Sequence, residues 1–228
     1  MAPARRIAAD GRAGPRFKLG TSFLVGAVAM TLLAFLVPVL VTSTKTFGPP
    51  GTPVADDGLG IVSTNFGPLT PLDREFVRKV RLAGLWELPA GMGAQQRAKQ
   101  DSVREVGDHL VMGHNELNKM DIATAQELGI ELPTKPSEQQ QGWLDQIDAA
   151  RGDAYERVLV NLLRRAHGTV FALVAQVRAQ TQNSKVRALA TRANTVVLDH
   201  ISVLEATGLV DFDALADSIS VKPVARIT

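Results

Sequence analysis

A helical repeat of apolar residues fills most of the chain, from about residue 71 to residue 207. Apolar side chains recur at alternating steps of three and four residues in four long stretches, and no stretch shows the alternation of a strand. The predicted helices are residues 71–98, 101–128, 153–180 and 184–207, with short helices at 138–150 in the crossover and at 211–219. Long helices joined by short connections predict an all-α domain, an antiparallel four-helix bundle over residues 70–208.

Polar residues at the predicted helix starts support these boundaries. Thr70 before Pro71 has the position of an N-cap, because its hydroxyl can accept from a free backbone amide of the first turn. Capping-box spacing occurs at two further starts, Ser102 with Glu105 and Ser137 with Gln140.

Each long helix carries one ionisable residue in the middle of its apolar stripe. The steps of three and four residues place these side chains where an apolar side chain is expected. In chain order they are Glu87, His114, His167 and His200.

The distance of each residue from its turn predicts the level at which it lies along the bundle axis. Glu87 lies 13 residues before the first turn and His114 lies 14 after it. His167 lies 16 residues before the last turn and His200 lies 17 after it. Across the crossover, treated as another antiparallel pair, His114 and His167 each lie 15 residues from the ends. At about 1.5 Å per residue these mismatches amount to a few ångströms, so the four residues are predicted to meet in one layer.

Three imidazoles and one carboxylate can be satisfied in two ways inside an apolar core, where an unpaired polar group is costly. They can ligate a transition metal, and their nitrogen and oxygen atoms suit zinc, copper or iron. Alternatively, they form a metal-free hydrogen-bonded layer in which the carboxylate accepts from the imidazoles. The chain has no cysteine, so disulfides, thiolate metal sites and cysteine nucleophiles are excluded. The candidate metal ligands are Glu87, His114, His167 and His200.

The N-terminal part of the chain has the pattern of a membrane anchor. Residues 1–20 carry five basic side chains and form a predicted cytoplasmic tail. Residues 21–44 are an uncharged apolar run, long enough for a bilayer that takes about 20 residues to cross. Basic residues before the span predict an extracytoplasmic bundle, joined through a Gly-, Pro-, Ser- and Thr-rich linker at 45–69 and followed by a C-terminal tail at 209–228. The alternative is a cleaved signal peptide, which makes the protein secreted.

Several classes of function are not expected. Much of the positive charge lies in the N-terminal tail and no recognition motif follows, so nucleic-acid binding is not predicted. The residues three before the histidines are Val111, Arg164 and Val197, so the Glu-x-x-His pairs of di-iron bundles are absent. The sequence has no GxSxG elbow, Walker loop or HExxH motif and assigns no catalytic residue.

Three other side chains receive structural interpretations. His109 lies about one turn from His114 but off the stripe, so it is predicted to flank the layer without joining it. Trp86 and Trp143 are predicted to be packing residues.

Histidine motifs that recur in order carry a family resemblance. The segments are FGPLTPLDREFVRKVRLAGLWELPAG, VREVGDHLVMGHNELN, GDAYERVLVNLLRRAHGTVF and VVLDHISVLEATGLVDFDAL. They resemble an actinobacterial branch of a secreted or membrane-anchored family, domain of unknown function 4142, over about residues 66–215. The resemblance implies one N-terminal transmembrane helix before a ferritin-like antiparallel four-helix bundle, and it matches the four layer residues to family positions. This chain has Tyr155, Glu156 and Leu159 where the family has Phe-Asp and then tyrosine, so a role for that hydroxyl does not carry over.

Two functions from different classes fit these observations. The first is a membrane-tethered bundle that binds a transition metal in its layer of three histidines and one glutamate for storage, sensing or structure. The second is a metal-free scaffold or interaction module of the cell envelope, whose partner is an envelope protein such as a subunit of a membrane complex. A metal-dependent redox or hydrolytic enzyme is a third hypothesis, and metal analysis separates the first two.

Overall fold

The computed structural model describes residues 57–219 of the 228-residue chain. The predicted cytoplasmic tail, the transmembrane helix at 21–44 and the first part of the linker lie outside the described residues, as do residues 220–228. The membrane anchor therefore stays a prediction. The described part is mostly helical, which confirms the all-α class.

Six helices make up most of the described part. They are α1 (Pro71–Arg97), α2 (Asp101–Leu128), α3 (Glu138–Ala149), α4 (Asp153–Gln180), α5 (Ser184–Ala206) and α6 (Phe212–Ile219). The predicted bounds of all six agree with these to within one residue. The apolar repeat was a sufficient guide here because each of these helices buries only part of its surface.

Two helices begin at their predicted caps. Thr70 Oγ1 accepts from the Asp73 backbone amide at 3.2 Å, and the Asp73 carboxylate accepts from the Thr70 amide at 2.9 Å. Ser137 and Gln140 form the same reciprocal pair at the start of α3.

The start of α2 is capped from another helix. Its N-cap residue Gln100 forms no side-chain cap bond, so the predicted capping box of Ser102 with Glu105 is wrong. Instead, Glu156 Oε1 from the first turn of α4 accepts from the backbone amides of Lys99 at 2.6 Å and Gln100 at 2.8 Å. A carboxylate acceptor makes strong hydrogen bonds to amides, so Glu156 fastens α4 to the turn between α1 and α2.

A two-stranded antiparallel hairpin precedes α1. Strands β1 (Val62–Thr64) and β2 (Gly67–Leu69) pair through a tight turn in which Gly67 has φ of 101°. Asn183 donates to the carbonyl of Gly67 at 3.2 Å, which fastens the hairpin to the turn between α4 and α5. The prediction of no strand is therefore wrong for these residues, because three-residue strands are too short to show an alternating pattern.

Contacts at the helix ends set the helix directions. Glu156 places the start of α4 at the end of α1, and Asn183 places the end of α4 beside the start of α1. Helices α1 and α5 therefore run in one direction and α2 and α4 in the other. The comparison of α2 with α4 as an antiparallel pair is wrong, since the two run parallel. The predicted level is unaffected because His114 lies close to the middle of α2.

Two apolar clusters fill the bundle on either side of the polar layer. One lies toward the hairpin and includes Phe76, Leu117, Val174 and Leu189. The other lies toward the α1–α2 turn and includes Trp86, Leu110, Leu163 and Leu204. The four ionisable residues predicted from the stripes occupy the level between the two clusters.

Among the described residues, α4 is the helix whose length and composition suffice to cross a membrane, with a mean hydropathy of 1.3 over 18 residues. Its apolar face is used within the bundle, where Leu163, Val174 and Val177 are buried. Packing in the bundle therefore accounts for the apolar composition of α4.

Candidate metal centre

The four predicted residues meet in one buried layer, each supplied by a different long helix. Their relative exposures lie between 1% and 4%. One ligand atom from each of the four residues can be chosen so that all four atoms lie within 4.8 Å of one another. The set is Glu87 from α1, His114 from α2, His167 from α4 and His200 from α5.

The Glu87 carboxylate is the common contact of two imidazoles. Its Oε2 atom lies 2.8 Å from His114 Nε2 and 3.1 Å from His167 Nε2. His167 Nε2 also lies 3.0 Å from His200 Nδ1. The layer is therefore a connected cluster of donor atoms.

Backbone carbonyls fix the proton positions on two of the rings. His167 Nδ1 donates to the Leu163 carbonyl at 2.9 Å, and His200 Nε2 donates to the His109 carbonyl at 3.0 Å. A carbonyl only accepts, so these two nitrogens must carry the protons. In the neutral rings, His167 Nε2 and His200 Nδ1 are then bare lone pairs that face each other and the layer.

Burial and charge set the ionisation of the layer. Burial lowers the pKa of His167 despite the attraction of Glu87. Burial, together with repulsion from His167 and His114, lowers the pKa of His200 to about 3. Burial opposes the ionisation of Glu87, but attraction to His167 and His114 and the His114 hydrogen bond outweigh it and lower the Glu87 pKa. At neutral pH an ionised carboxylate therefore faces neutral His167 and His200 rings.

His114 is held less firmly than the other two rings. Its Nε2 contacts Glu87, while its Nδ1 is buried and has no hydrogen-bond partner within residues 57–219. No carbonyl fixes its tautomer, so the proton of His114 can change nitrogen when a cation takes the place beside Glu87.

A glycine on α2 makes room for the layer. A Cβ atom at Gly113 would lie 2.6 Å from His200 Nε2 and 2.8 Å from Val196 Cγ1. Real Cβ atoms essentially never come this close, so any other residue at 113 would displace the His200 ring.

The flanking residues lie where the sequence suggested. His109 has its ring outside the layer, 2.7 Å from Asp199 Oδ2. Trp86 and Trp143 pack together with ring centroids 5.0 Å apart. No sequence pattern indicates the part that His109 plays through its backbone carbonyl, because every residue has a carbonyl.

One buried ionisable residue was not predicted. Asp121 on α2 is fully buried, and neither carboxylate oxygen has a hydrogen-bond partner within residues 57–219. Burial raises its pKa to about 7, with Arg81 acting in the opposite direction. The signal was present, since Asp121 continues the α2 stripe at a step of four from Leu117 and three from Thr124.

The donor set suits a transition metal. Three imidazole nitrogens and one carboxylate oxygen are first-row metal ligands, and the carbonyls behind His167 and His200 are the outer-shell acceptors that orient ligating histidines. Zinc bonds of about 2.0–2.1 Å put tetrahedral donors about 3.4 Å apart. Side-chain movements of roughly an ångström would bring the four donors to that spacing, so the cluster can hold a metal ion.

Comparison with known proteins supports a family and a fold. The family model described as Domain of unknown function (DUF4142) matches residues 63–207, more than half of the chain. The crystal structure of a DUF305 fragment from Deinococcus radiodurans is similar in fold, with a TM-score of 0.54 and 16% identity over 60% of this chain and 95% of that one. No curated protein matches the chain significantly. The chain belongs to the DUF4142 family.

Proposed function

We propose that this protein binds one transition-metal ion in the layer of Glu87, His114, His167 and His200, with zinc, copper and iron as the candidates. We further propose that the bundle is a ferritin-like antiparallel four-helix bundle held outside the cytoplasmic membrane by residues 21–44. The basic N-terminal tail before that apolar run supports the placement.

The observation that carries the proposal is the opposition of two bare nitrogens. His167 Nε2 and His200 Nδ1 lie 3.0 Å apart, and both are acceptors because carbonyls hold the protons of the other two nitrogens. Glu87 Oε2 adds a third acceptor 3.1 Å from His167 Nε2. Three converging acceptors repel one another unless a proton or a metal cation lies between them.

A proton is the poorer of these two solutions. Burial lowers the pKa of both His167 and His200, so protonation of either ring is unfavourable at neutral pH. A metal ion uses the same lone pairs and needs the neutral rings that burial maintains. A bound ion would supply a Lewis acid at the centre of the bundle and link four helices.

The experiment is metal analysis of the purified full-length protein. The metal-free protein is dialysed separately against zinc, copper and iron salts, and metal per chain is measured by mass spectrometry. His167→Ala and His200→Ala remove one ligand each. The matched control is His109→Ala, because the ring of His109 lies outside the layer while its backbone carbonyl is retained.

The proposal requires about one ion per chain for at least one metal, kept by His109→Ala and lost from both layer variants. Sub-stoichiometric binding of every metal would favour the metal-free scaffold. Binding that survives in both His167→Ala and His200→Ala would place the ion elsewhere. Circular dichroism of each variant distinguishes loss of a ligand from loss of the fold.

A further inference from the structure

A cleft between α1, α3 and α4 leads from the surface to the candidate metal centre. Its volume is about 340 Å³, which is within the range of small-ligand sites. The outer lining includes exposed Gln139, Arg165 and Thr169, and the inner lining includes buried Trp86 and Glu87. Glu87 is thus the layer residue that the cleft reaches.

A smaller cavity lies on the other side of Glu87. Its volume is about 30 Å³, and its lining contains all four layer residues. The small cavity and the cleft share Lys79, Ala83, Glu87, Val170 and Leu173 as wall residues. A metal ion in the layer would therefore lie one side chain away from a ligand in the cleft.

The charges on the cleft walls favour an anion. Lys79 and Arg165 both line the cleft, and Arg165 forms no ion pair within residues 57–219. Lys79 has one partner, Glu75, at 3.5 Å. A metal ion in the layer would also offset the negative charge of Glu87. The same wall charges oppose the passage of a free metal cation through the cleft.

The uncharged walls favour a ligand with an apolar part. Both tryptophans of the chain line the cleft, together with Leu82 and Ala83. Gln140 uses its side-chain oxygen to accept from the Ser137 amide, which leaves its NH2 group as a donor toward an acceptor. Apolar surface with a few donors is the composition of a site for an amphiphilic anion.

We infer that the cleft binds a small carboxylate with an apolar body, its anionic group beside Lys79 and the Glu87 side of the metal centre. This inference rests on the proposed function, because without the metal the carboxylate of Glu87 repels the ligand. The metal and the anion should therefore strengthen each other's binding by the same factor.

The test uses hexanoate as the probe and 1-hexanol as its neutral counterpart, with full-length protein in metal-loaded and metal-free forms. Trp86 and Trp143 are the two tryptophans of the chain and both line the cleft, so tryptophan fluorescence reports binding there. The variants are Lys79→Gln and Arg165→Gln. The matched controls are the exposed Lys119→Gln and Arg178→Gln, which lie outside the cleft lining.

The inference predicts saturable binding of hexanoate that is tighter with metal than without and weaker for 1-hexanol. Loss of one partly exposed cation should raise the hexanoate Kd about two- to fivefold, with no change in the control variants. A one-to-one metal complex whose tryptophan signal does not respond to millimolar hexanoate would overturn this inference and leave the proposed function standing. Failure of the protein to load any metal would overturn both.

Discussion

Gly113→Ala tests whether the layer is packed as described. The added Cβ would lie 2.6 Å from His200 Nε2, the atom that donates to the His109 carbonyl at 3.0 Å. It would also lie 2.8 Å from Val196 Cγ1 on the same helix. The His200 ring must therefore move, and its hydrogen bond lengthens or breaks.

The magnitude follows from opposing effects. Alanine is better than glycine in a helix interior by about 1 kcal/mol. Overpacking a dense core costs about 1–3 kcal/mol, and leaving a buried carbonyl without its donor costs about 1–3 kcal/mol. We therefore expect Gly113→Ala to lower the free energy of unfolding by about 2–3 kcal/mol. Metal binding should weaken as well, because the His200 lone pair is turned away from the layer.

The matched control is Gly142→Ala in α3, where an added Cβ meets nothing within 4 Å. That variant should gain up to about 1 kcal/mol from helix propensity alone. Urea unfolding of the metal-free proteins, followed by circular dichroism, measures both changes. If Gly113→Ala proves as stable as Gly142→Ala and still binds metal, the close approach of α2 to His200 is refuted.

Three further predictions concern stability. Glu156→Gln should lower the free energy of unfolding by about 1.5–3 kcal/mol, because a charged acceptor of two backbone amides is lost; an unchanged urea midpoint would contradict the cap. The Asp121 pKa is raised from 3.8 to about 7, so its stabilising neutral form is fully present below about pH 4 and lost as pH rises through 7. Asp121→Asn should lack that loss and gain on the order of 2–4 kcal/mol relative to wild type between pH 4 and pH 8, measured by urea unfolding at each pH; parallel pH curves would rule this out. Free metal at about 1,000 times its Kd should add about 4 kcal/mol to wild-type stability and nothing to His167→Ala, and equal shifts in both thermal melts would argue against the layer as the site.

Sequence periodicity was sufficient for the layer because helix geometry is local. Once Glu87, His114, His167 and His200 each fall at mid-helix on an apolar stripe, packing the stripes together brings them to one level. Even the incorrect pairing of α2 with α4 did not change that outcome, since a residue near mid-helix has the same height in either direction.

The remaining features depend on contacts between residues far apart in the chain. Glu156 caps a helix that begins more than fifty residues earlier, and a single-sequence pattern cannot pair the two. The proton positions of His167 and His200 depend on backbone carbonyls, which carry no sequence signal. The need for glycine at 113 appears only when α5 is in place beside α2.

X-ray absorption at the edge of the bound metal tests the central claim most directly. For the zinc-loaded full-length protein, we expect nitrogen and oxygen neighbours at about 2.0–2.1 Å and the outer-shell scattering of three imidazoles. His167→Ala and His200→Ala should each lose one imidazole contribution, while His109→Ala should keep all three. A first shell of oxygen alone, or an imidazole signal unchanged in the layer variants, would contradict metal binding by Glu87, His114, His167 and His200.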